Sequence, residues 1–224
     1  MSLEEQNKKD HDAFLDDLAN SLEPTKAVHP LRLYLFWLLI SLASTLAFSV
    51  FMGWNNALSE HFFNEASVLV TLGHVFVGLF AAWFAILLSL PGRQPGQNRR
   101  IALVAICALL IFAPFIFLQS PAGWSQWKLS LQGSFGCGGM TLLFALVPVF
   151  VLAGICLKLA PMQSFWVSVM IALAAMSFAG LGIHLHCRTT NACHMAIGHL
   201  LPVFLGTFLI SWPLQQLMAK WKQL

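Results

Sequence analysis

The sequence predicts an all-α polytopic membrane protein, a bundle of six transmembrane helices with a short N-terminal helix in the cytoplasm. Of its 224 residues, 58% are hydrophobic and only 9% are charged, whereas roughly 25% of a soluble domain is charged. Apolar runs near the length of about 20 residues that a membrane-crossing helix needs recur along the chain, without the alternation of a membrane β-strand. These predicted spans are 32–53, 66–90, 101–118, 139–159, 163–185 and 197–217.

Lysine and arginine predict the orientation, because the short cytoplasmic loops of membrane proteins are enriched in both. Ten of the twelve basic residues fall on one face of the predicted bundle, and the other two are Lys128 and Arg188. We therefore expect both termini in the cytoplasm and the bundle in a bacterial inner membrane. The predicted divisions are an acidic amphipathic head at 1–31, a transmembrane domain at 32–217 and a cytoplasmic tail at 218–224.

The predicted head holds seven of the nine acidic residues of the chain. Apolar side chains recur in it at helical spacing, which predicts an amphipathic helix. The apolar stripe consists of Phe14, Leu15, Leu18 and Leu22, and the acidic Asp16 and Asp17 lie on other faces. A leader lying on the membrane is the plainer interpretation. Helices on membrane surfaces usually carry Lys and Arg, however, so the acidity favours docking to a protein with a basic surface.

Three of the five cysteines, Cys137, Cys187 and Cys193, fall in predicted outward loops or span ends. Outside a bacterial inner membrane the environment is oxidising. The midpoint of Cys137 and Cys187 is residue 162, in the short turn between the fourth and fifth predicted spans, so an antiparallel hairpin brings the two thiols level. At a rise of about 1.5 Å per residue, each lies roughly 37 Å from that turn. A disulfide requires Cα atoms within about 7 Å.

Histidines gather at the same predicted end of the bundle. Thiolate and imidazole together suit zinc, copper and related metals, although the spacing H-x-H-C-x5-C-H matches no standard zinc motif. The candidate metal ligands are His184, His186, Cys187, Cys193 and His194. Polar loop residues with a disulfide are the simpler interpretation. We expect no resident cofactor, and transient metal binding at this Cys/His cluster stays open.

Several short motifs follow one another in an order that resembles the NrsF-type negative regulators of sigma factors. The motifs are the acidic head from Leu15 to Pro24, Pro91-Gly92 after the second span, Cys137 before the fourth, Ala160-Pro161 before the fifth, Leu185-His186-Cys187 at its end, and Gly198-His199-Leu200-Leu201-Pro202 in the last. The resemblance extends over nearly the whole chain. It rests on the order of the motifs, because each one alone is short.

The resemblance implies a membrane-bound anti-sigma factor that sequesters an extracytoplasmic-function sigma factor, with the outward cysteine pair carried over onto Cys137 and Cys187. In similar proteins these cysteines are associated with the response to metal or oxidative stress. The expected partners are then the sigma factor, bound by the head, and the lipid bilayer, with no direct nucleic acid binding. We expect no enzyme activity. The additional Cys193 and the histidines depart from the pattern and leave the disulfide pairing open.

Two other function classes are compatible with the same residues. A membrane thiol–disulfide oxidoreductase would pass electrons from the three outward cysteines to a quinone, although no C-x-x-C pair is present. A metal transporter would use the histidine cluster together with His74, an ionisable residue inside the second predicted span, since such residues often mark function. An interhelical hydrogen bond is an equally simple role for His74. No acidic residue lies in any predicted span, which argues against a proton-coupled transporter.

Overall fold

The structure, a computed structural model, describes residues 13–14, 28–53, 65–90, 124–159, 164–187, 189 and 192–221, without the side chains of 65–66, 124–132 and 192. All of its regular structure within these ranges is helical. The helices are α1 (Pro30–Phe51), α2 (Glu65–Ser89), α3 (Trp124–Lys158), α4 (Ser164–His186), α5 (Ala192–Met195) and α6 (Leu201–Trp221), and a π-helical turn at Ala196–Leu200 joins the last two.

Five helical segments in this part of the chain are long and apolar enough to cross a membrane. They are Pro30–Phe51, Ser67–Ser89, Gly133–Lys158, Ser164–His186 and Cys193–Trp221. Each overlaps one of the predicted spans, so the prediction of an all-α membrane protein is confirmed for the described residues. The third predicted span, at 101–118, lies outside them, as do residues 15–22 of the predicted head.

Helix α3 begins well before the fourth predicted span. We expected that span to start at residue 139, whereas the helix runs without interruption from Trp124 to Lys158. The sequence from Trp124 onward contains no proline before Pro148, so every backbone amide over that stretch can donate within the helix. Polar residues in the first turns lowered the hydropathy there, but they do not oppose helix formation.

Helix α4 lies at the centre of the bundle, and 94% of the residues in its most apolar 18-residue stretch are buried. The small side chains of α4 let neighbouring helices pack close to its backbone, as is typical of helix packing in membranes. At Gly78 of α2, an added Cβ would lie 2.8 Å from the ring of Phe178 on α4. Helix α2 therefore needs glycine there to approach α4 closely.

Helix α1 is tied to α3 by a buried hydrogen bond. The indole Nε1 of Trp37 donates to the carbonyl oxygen of Pro148 at 3.0 Å, and the Trp37 side chain is completely buried. The same indole packs edge-on against Phe178 of α4, with ring centroids 5.2 Å apart. A buried indole N–H usually requires such an acceptor, so this bond fixes the register of α1 against α3.

Side-chain contacts show how the helix ends meet. The Cys156 thiol of α3 lies 3.6 Å from the carbonyl oxygen of Ala85 near the end of α2. The Ser168 hydroxyl near the start of α4 lies 3.4 Å from the sulfur of Met218 near the end of α6. This end of the bundle carries the cationic residues Arg32, Lys158 and Lys220. We call it the basic end; the cysteines and histidines discussed next lie at the opposite one.

Candidate metal centre

Four side chains from separate parts of the chain converge at the end of the bundle opposite the basic end. Cys137 belongs to α3, Cys187 directly follows α4, His194 belongs to α5 and His199 to the π-helical turn. Their ligand atoms all lie within 4.8 Å of one another. His194 is central, because its Nε2 lies 3.3 Å from Sγ of Cys187 and 3.7 Å from Sγ of Cys137. We call these four residues the Cys2His2 cluster.

The hairpin of α3 and α4 accounts for the two sulfurs. The first half of α3 and the end of α4 lie at the same end of the bundle. The backbone N–H of Cys187 donates to the Ile183 carbonyl at 2.9 Å, which extends the last turn of α4 to the cysteine. Cys137 lies within α3 and both cysteines are part-buried thiols. The expectation that the hairpin places the two cysteines level agrees with this arrangement.

The π-helical turn accounts for the position of His199. In a regular α-helix, residues five apart point about 140° away from each other, at about 100° per residue. The wider π turn, with its i to i+5 hydrogen bonding, brings such residues closer to one face. Here the Leu201 N–H donates to the Ala196 carbonyl, five residues earlier. Pro202 follows at once and cannot donate to the helix, which is a local cause for the irregular turn.

A buried serine contacts the ring nitrogen of His194 that faces away from the thiols. The Ser134 hydroxyl lies 3.3 Å from Nδ1 of His194, and Ser134 is buried, three residues before Cys137 on the same helix. A ring that donates from Nδ1 to this hydroxyl presents the lone pair of Nε2 to the thiols. Metal-ligating histidines usually have this kind of second partner, which fixes the orientation of the ring.

Two glycines allow the close contacts between segments that this arrangement requires. An added Cβ at Gly198 would lie 3.3 Å from Nε2 of His194 and 3.3 Å from the Ser134 hydroxyl. At Gly138, beside Cys137, it would lie 3.1 Å from the Pro202 ring. The two glycines therefore let the π-helical turn and the start of α6 approach α3 closely enough for the four ligand atoms to converge.

The surroundings of Cys187 favour its thiolate. The hydrogen bond with Cys137 lowers the pKa of Cys187, burial acts in the opposite direction, and hydrogen bonds with His194 and His199 lower the pKa further. Thiolates, and not thiols, bind metals and attack disulfides. One sulfur of the pair is thus prepared to react or to bind a metal.

The donor set fits a tetrahedral soft or borderline metal ion. Two sulfurs and two imidazole nitrogens form a common zinc set, with bond lengths of about 2.3 and 2.1 Å that imply sulfur–nitrogen separations of about 3.6 Å. The observed 3.3 and 3.7 Å from His194 to the two sulfurs bracket that separation. Copper(I) is also compatible, because thiolates select it.

The predicted ligands are divided between this cluster and its surroundings. Cys187 and His194 belong to the cluster, while the Nε2 of His184 lies 3.0 Å from the Ser67 hydroxyl and 3.2 Å from the Ser67 carbonyl oxygen. His186 and Cys193 are outside the group whose ligand atoms converge, and Cys193 is buried. Among the predicted sensing cysteines, the structure therefore brings Cys137 and Cys187 together without Cys193.

His199 was missing from the predicted ligand set. In the sequence it lies a little over one turn beyond His194, and the π-helical turn before Pro202 brings the two histidines together. The motif Gly198-His199 followed by Pro202 was visible in the sequence, but it does not by itself predict a π turn.

A row of buried imidazoles leads from the cluster into the bundle. Ring centroids lie 5.4 Å apart between His194 and His199, 5.2 Å between His199 and His184, and 6.5 Å between His184 and His74. His74 lies on α2 and contacts α4 closely, because an added Cβ at Gly180 would meet its ring at 2.8 Å. The row connects the cluster with the centre of the bundle.

Of the predicted partner-binding residues in the head, only Phe14 lies among the described ones. It is helical and 62% exposed. Leu15, Asp16, Asp17, Leu18 and Leu22 lie outside the described part of the chain.

Comparison with known protein families gives a match over most of the chain. A family model named NrsF and described as a negative regulator of sigma F matches residues 18–221, which is most of the chain. No curated protein and no solved structure matches.

Proposed function

Since the chain belongs to the NrsF family of negative regulators of sigma F, we propose that it is a membrane-bound anti-sigma factor whose Cys2His2 cluster senses stress. It sequesters an extracytoplasmic-function sigma factor and releases it when the cluster captures a metal ion or is oxidised. The convergence of Cys137, Cys187, His194 and His199 within 4.8 Å carries this proposal. The function requires binding and release but no enzyme activity.

The cluster is well placed to change helix packing. Its four ligands come from α3, the residue after α4, α5 and the π-helical turn, so a bound ion ties together segments that are far apart in sequence. A ligand shifts a conformational equilibrium only by its differential affinity for the two states. An ion that needs all four donors binds best to the state in which they converge, and that state is then the one that releases the sigma factor.

Metal capture uses all four donors, whereas oxidation uses two. A disulfide between Cys137 and Cys187 forms as both thiols lose their protons and pass two electrons to a cellular oxidant such as a disulfide or a peroxide. The imidazoles of His194 and His199 take no part in that bond. Because they nevertheless meet the sulfurs, we propose a thiophilic metal ion as the principal signal and the disulfide as a second route.

The head and its orientation complete the proposal. The predicted head, with its apolar stripe of Phe14, Leu15, Leu18 and Leu22 and the acidic Asp16 and Asp17 on other faces, binds a basic surface of the sigma factor on the cytoplasmic side of a bacterial inner membrane. The basic end of the bundle faces the same side, in keeping with the enrichment of Lys and Arg in cytoplasmic loops. The Cys2His2 cluster then faces the periplasm, where metals and oxidants arrive.

Co-purification tests the proposal. The tagged full-length protein and a version lacking residues 1–25 are purified from native cells, and co-purifying proteins are identified by mass spectrometry. We expect a sigma factor with the full-length chain alone. Addition of Zn²⁺ or Cu⁺ should reduce its recovery, and a C137S/C187S variant should retain it. Recovery without the head would contradict the head's role, and loss of the sigma factor from the metal-treated variant would contradict the sensing role.

One observation favours a second candidate, a thiol oxidoreductase that reduces quinone. An apolar cavity of about 380 Å³ between α3 and α6 begins at Ser134, next to the Cys2His2 cluster. In that reaction two thiols become a disulfide while the quinone takes two electrons and two protons, and a dithiol donor restores the thiols. Purified protein that reduces ubiquinone with dithiothreitol, but not as C137S/C187S, would establish this activity.

A further inference from the structure

A groove opens between α1 and α3 at the basic end of the bundle. It encloses about 680 Å³. Its walls are mainly apolar and include Leu33, Phe36, Phe150 and Gly154, and the cationic side chains of Arg32 and Lys158 also line it. Phe36 and Phe150 are 54% and 69% exposed, so the groove is open to its surroundings.

We propose that this groove binds one anionic phospholipid, with the phosphate held by Arg32 and Lys158 and an acyl chain lying between α1 and α3 along Gly154. This binding site is separate from the Cys2His2 cluster and independent of the proposed sensing.

The charges select an anionic headgroup. Arg32 and Lys158 are both exposed, and none of the described residues that line the groove carries a carboxylate. A guanidinium matches the geometry of a phosphate and an ammonium adds a second charge-assisted hydrogen bond. Basic pockets between transmembrane helices on the cytoplasmic side are known sites for anionic headgroups. A zwitterionic lipid offers the same phosphate with a compensating positive charge and should bind less well.

The shape selects an acyl chain. Arg32 lies in the first turn of α1 and Lys158 in the last turn of α3. Phe36 lies about one turn after Arg32 and Phe150 about two turns before Lys158, so the exposed aromatic walls extend from the cations towards the middle of the two helices. An added Cβ at Gly154 would meet nothing within 4 Å, so the floor of the groove is open space. The hydrogen bond between Trp37 and Pro148 holds α1 against α3, which keeps the groove formed before a lipid arrives.

Native mass spectrometry of the full-length protein in detergent tests this site with dioleoyl phosphatidylglycerol and dioleoyl phosphatidylcholine as probes. We expect one tight phosphatidylglycerol adduct, and about tenfold weaker binding in R32Q/K158Q, since charge-assisted bonds are the stronger kind. K220Q removes a cation at the same end that does not line the groove, and it should bind normally. Equal affinity of the wild type and R32Q/K158Q for phosphatidylglycerol would overturn the proposal.

A second pair of variants tests the acyl chain without changing charge. G154L fills the groove, whereas G139L adds the same side chain at another open position on α3. Both remove a helical glycine, so neither should weaken the fold. We expect G154L alone to lose the adduct. If G154L binds phosphatidylglycerol as well as G139L does, no acyl chain lies there. If phosphatidylglycerol binds only after removal of residues 1–25, the acidic head occupies the groove in the full-length protein and the proposal fails.

Discussion

The hydroxyl of Ser134 lies 3.3 Å from Nδ1 of His194, on the far side of the ring from the two cluster thiols. The other ring nitrogen, Nε2, lies 3.3 Å from Sγ of Cys187 and 3.7 Å from Sγ of Cys137. One imidazole thus connects α3, α5 and the residue after α4. Its orientation depends on a buried serine that binds no metal itself.

Replacement of that serine should weaken metal binding without removing a ligand. We expect S134A to lower the affinity for Zn²⁺ by about 10- to 100-fold, the usual effect of losing a partner that orients a ligating histidine. Competition with a chromophoric chelator on purified protein measures this. T141A is the matched control, because Thr141 lies on the same helix and donates to the Cys137 carbonyl at 2.9 Å. An unchanged affinity of S134A would show that the serine does not position the ring.

Replacement of His199 should separate metal capture from oxidation. H199A removes one of four metal donors but neither sulfur, so we expect a large loss of Zn²⁺ affinity with intact formation of the Cys137–Cys187 disulfide. Thiol titration after treatment with diamide checks the second result. H184A is the comparison, because His184 packs against His199 with ring centroids 5.2 Å apart but contributes no ligand atom to the cluster. Equal loss of metal binding in both variants would indicate general disruption of the histidine row.

A methyl group at Gly198 should disturb the cluster directly. Its Cβ would lie 3.3 Å from Nε2 of His194 and from the Ser134 hydroxyl, a separation that forces one of them to move. We therefore expect G198A to weaken Zn²⁺ binding while the helical content seen by circular dichroism is kept. G139A, where an added Cβ meets nothing within 4 Å, should bind as the wild type does. Wild-type affinity in G198A would mean that the ring can shift without cost.

Hydropathy was sufficient to predict where most of the described helices lie, because the requirement for about 20 apolar residues is imposed by the bilayer itself. Hydropathy did not predict the early start of α3 at Trp124, because its first turns are polar, although Trp124, Trp127 and Leu131 recur at the spacing of one helix face. The midpoint argument correctly placed Cys137 and Cys187 level. It required only two straight antiparallel helices joined by a short turn.

The composition of the four-residue cluster was harder to predict than its location. Spacing along the chain grouped His184, His186 and Cys193 with Cys187, but residues two apart on a helix, such as His184 and His186, point to different faces. His184 lies nearly one turn before Cys187, where its Nε2 contacts Ser67 of α2. His199 joins the cluster through a π-helical turn, which depends on a backbone hydrogen bond from Leu201 to Ala196 and has no reliable sequence pattern.

Loss of the buried indole donor on α1 should destabilise the bundle. W37F removes the hydrogen bond to the Pro148 carbonyl but keeps an aromatic ring to pack against Phe178. A net loss of about 1 kcal/mol is typical for one hydrogen bond. Reversible unfolding in mixed micelles with increasing sodium dodecyl sulfate measures it, and F36L, at an exposed position on the same helix, serves as the control. A W37F midpoint equal to that of F36L would show that the bond does not stabilise α1 against α3.

The last prediction concerns a close contact between helices at Gly180. At Gly180 of α4 an added Cβ would lie 2.8 Å from Cε1 of His74 and 2.9 Å from Cγ2 of Val203, so α2 and α6 both press on this position. Overpacking of this kind costs about 1–3 kcal/mol, and we expect G180A to unfold at lower denaturant in the same micelle assay. G154A adds the same methyl group where nothing lies within 4 Å and should be neutral or stabilising. The double variant H74A/G180A removes the ring that the new methyl group meets. Its loss of stability should therefore be smaller than the sum of the losses in the two single variants. Simple additivity of the two changes would show that His74 moves aside and that the contact does not set the spacing of α2 and α4.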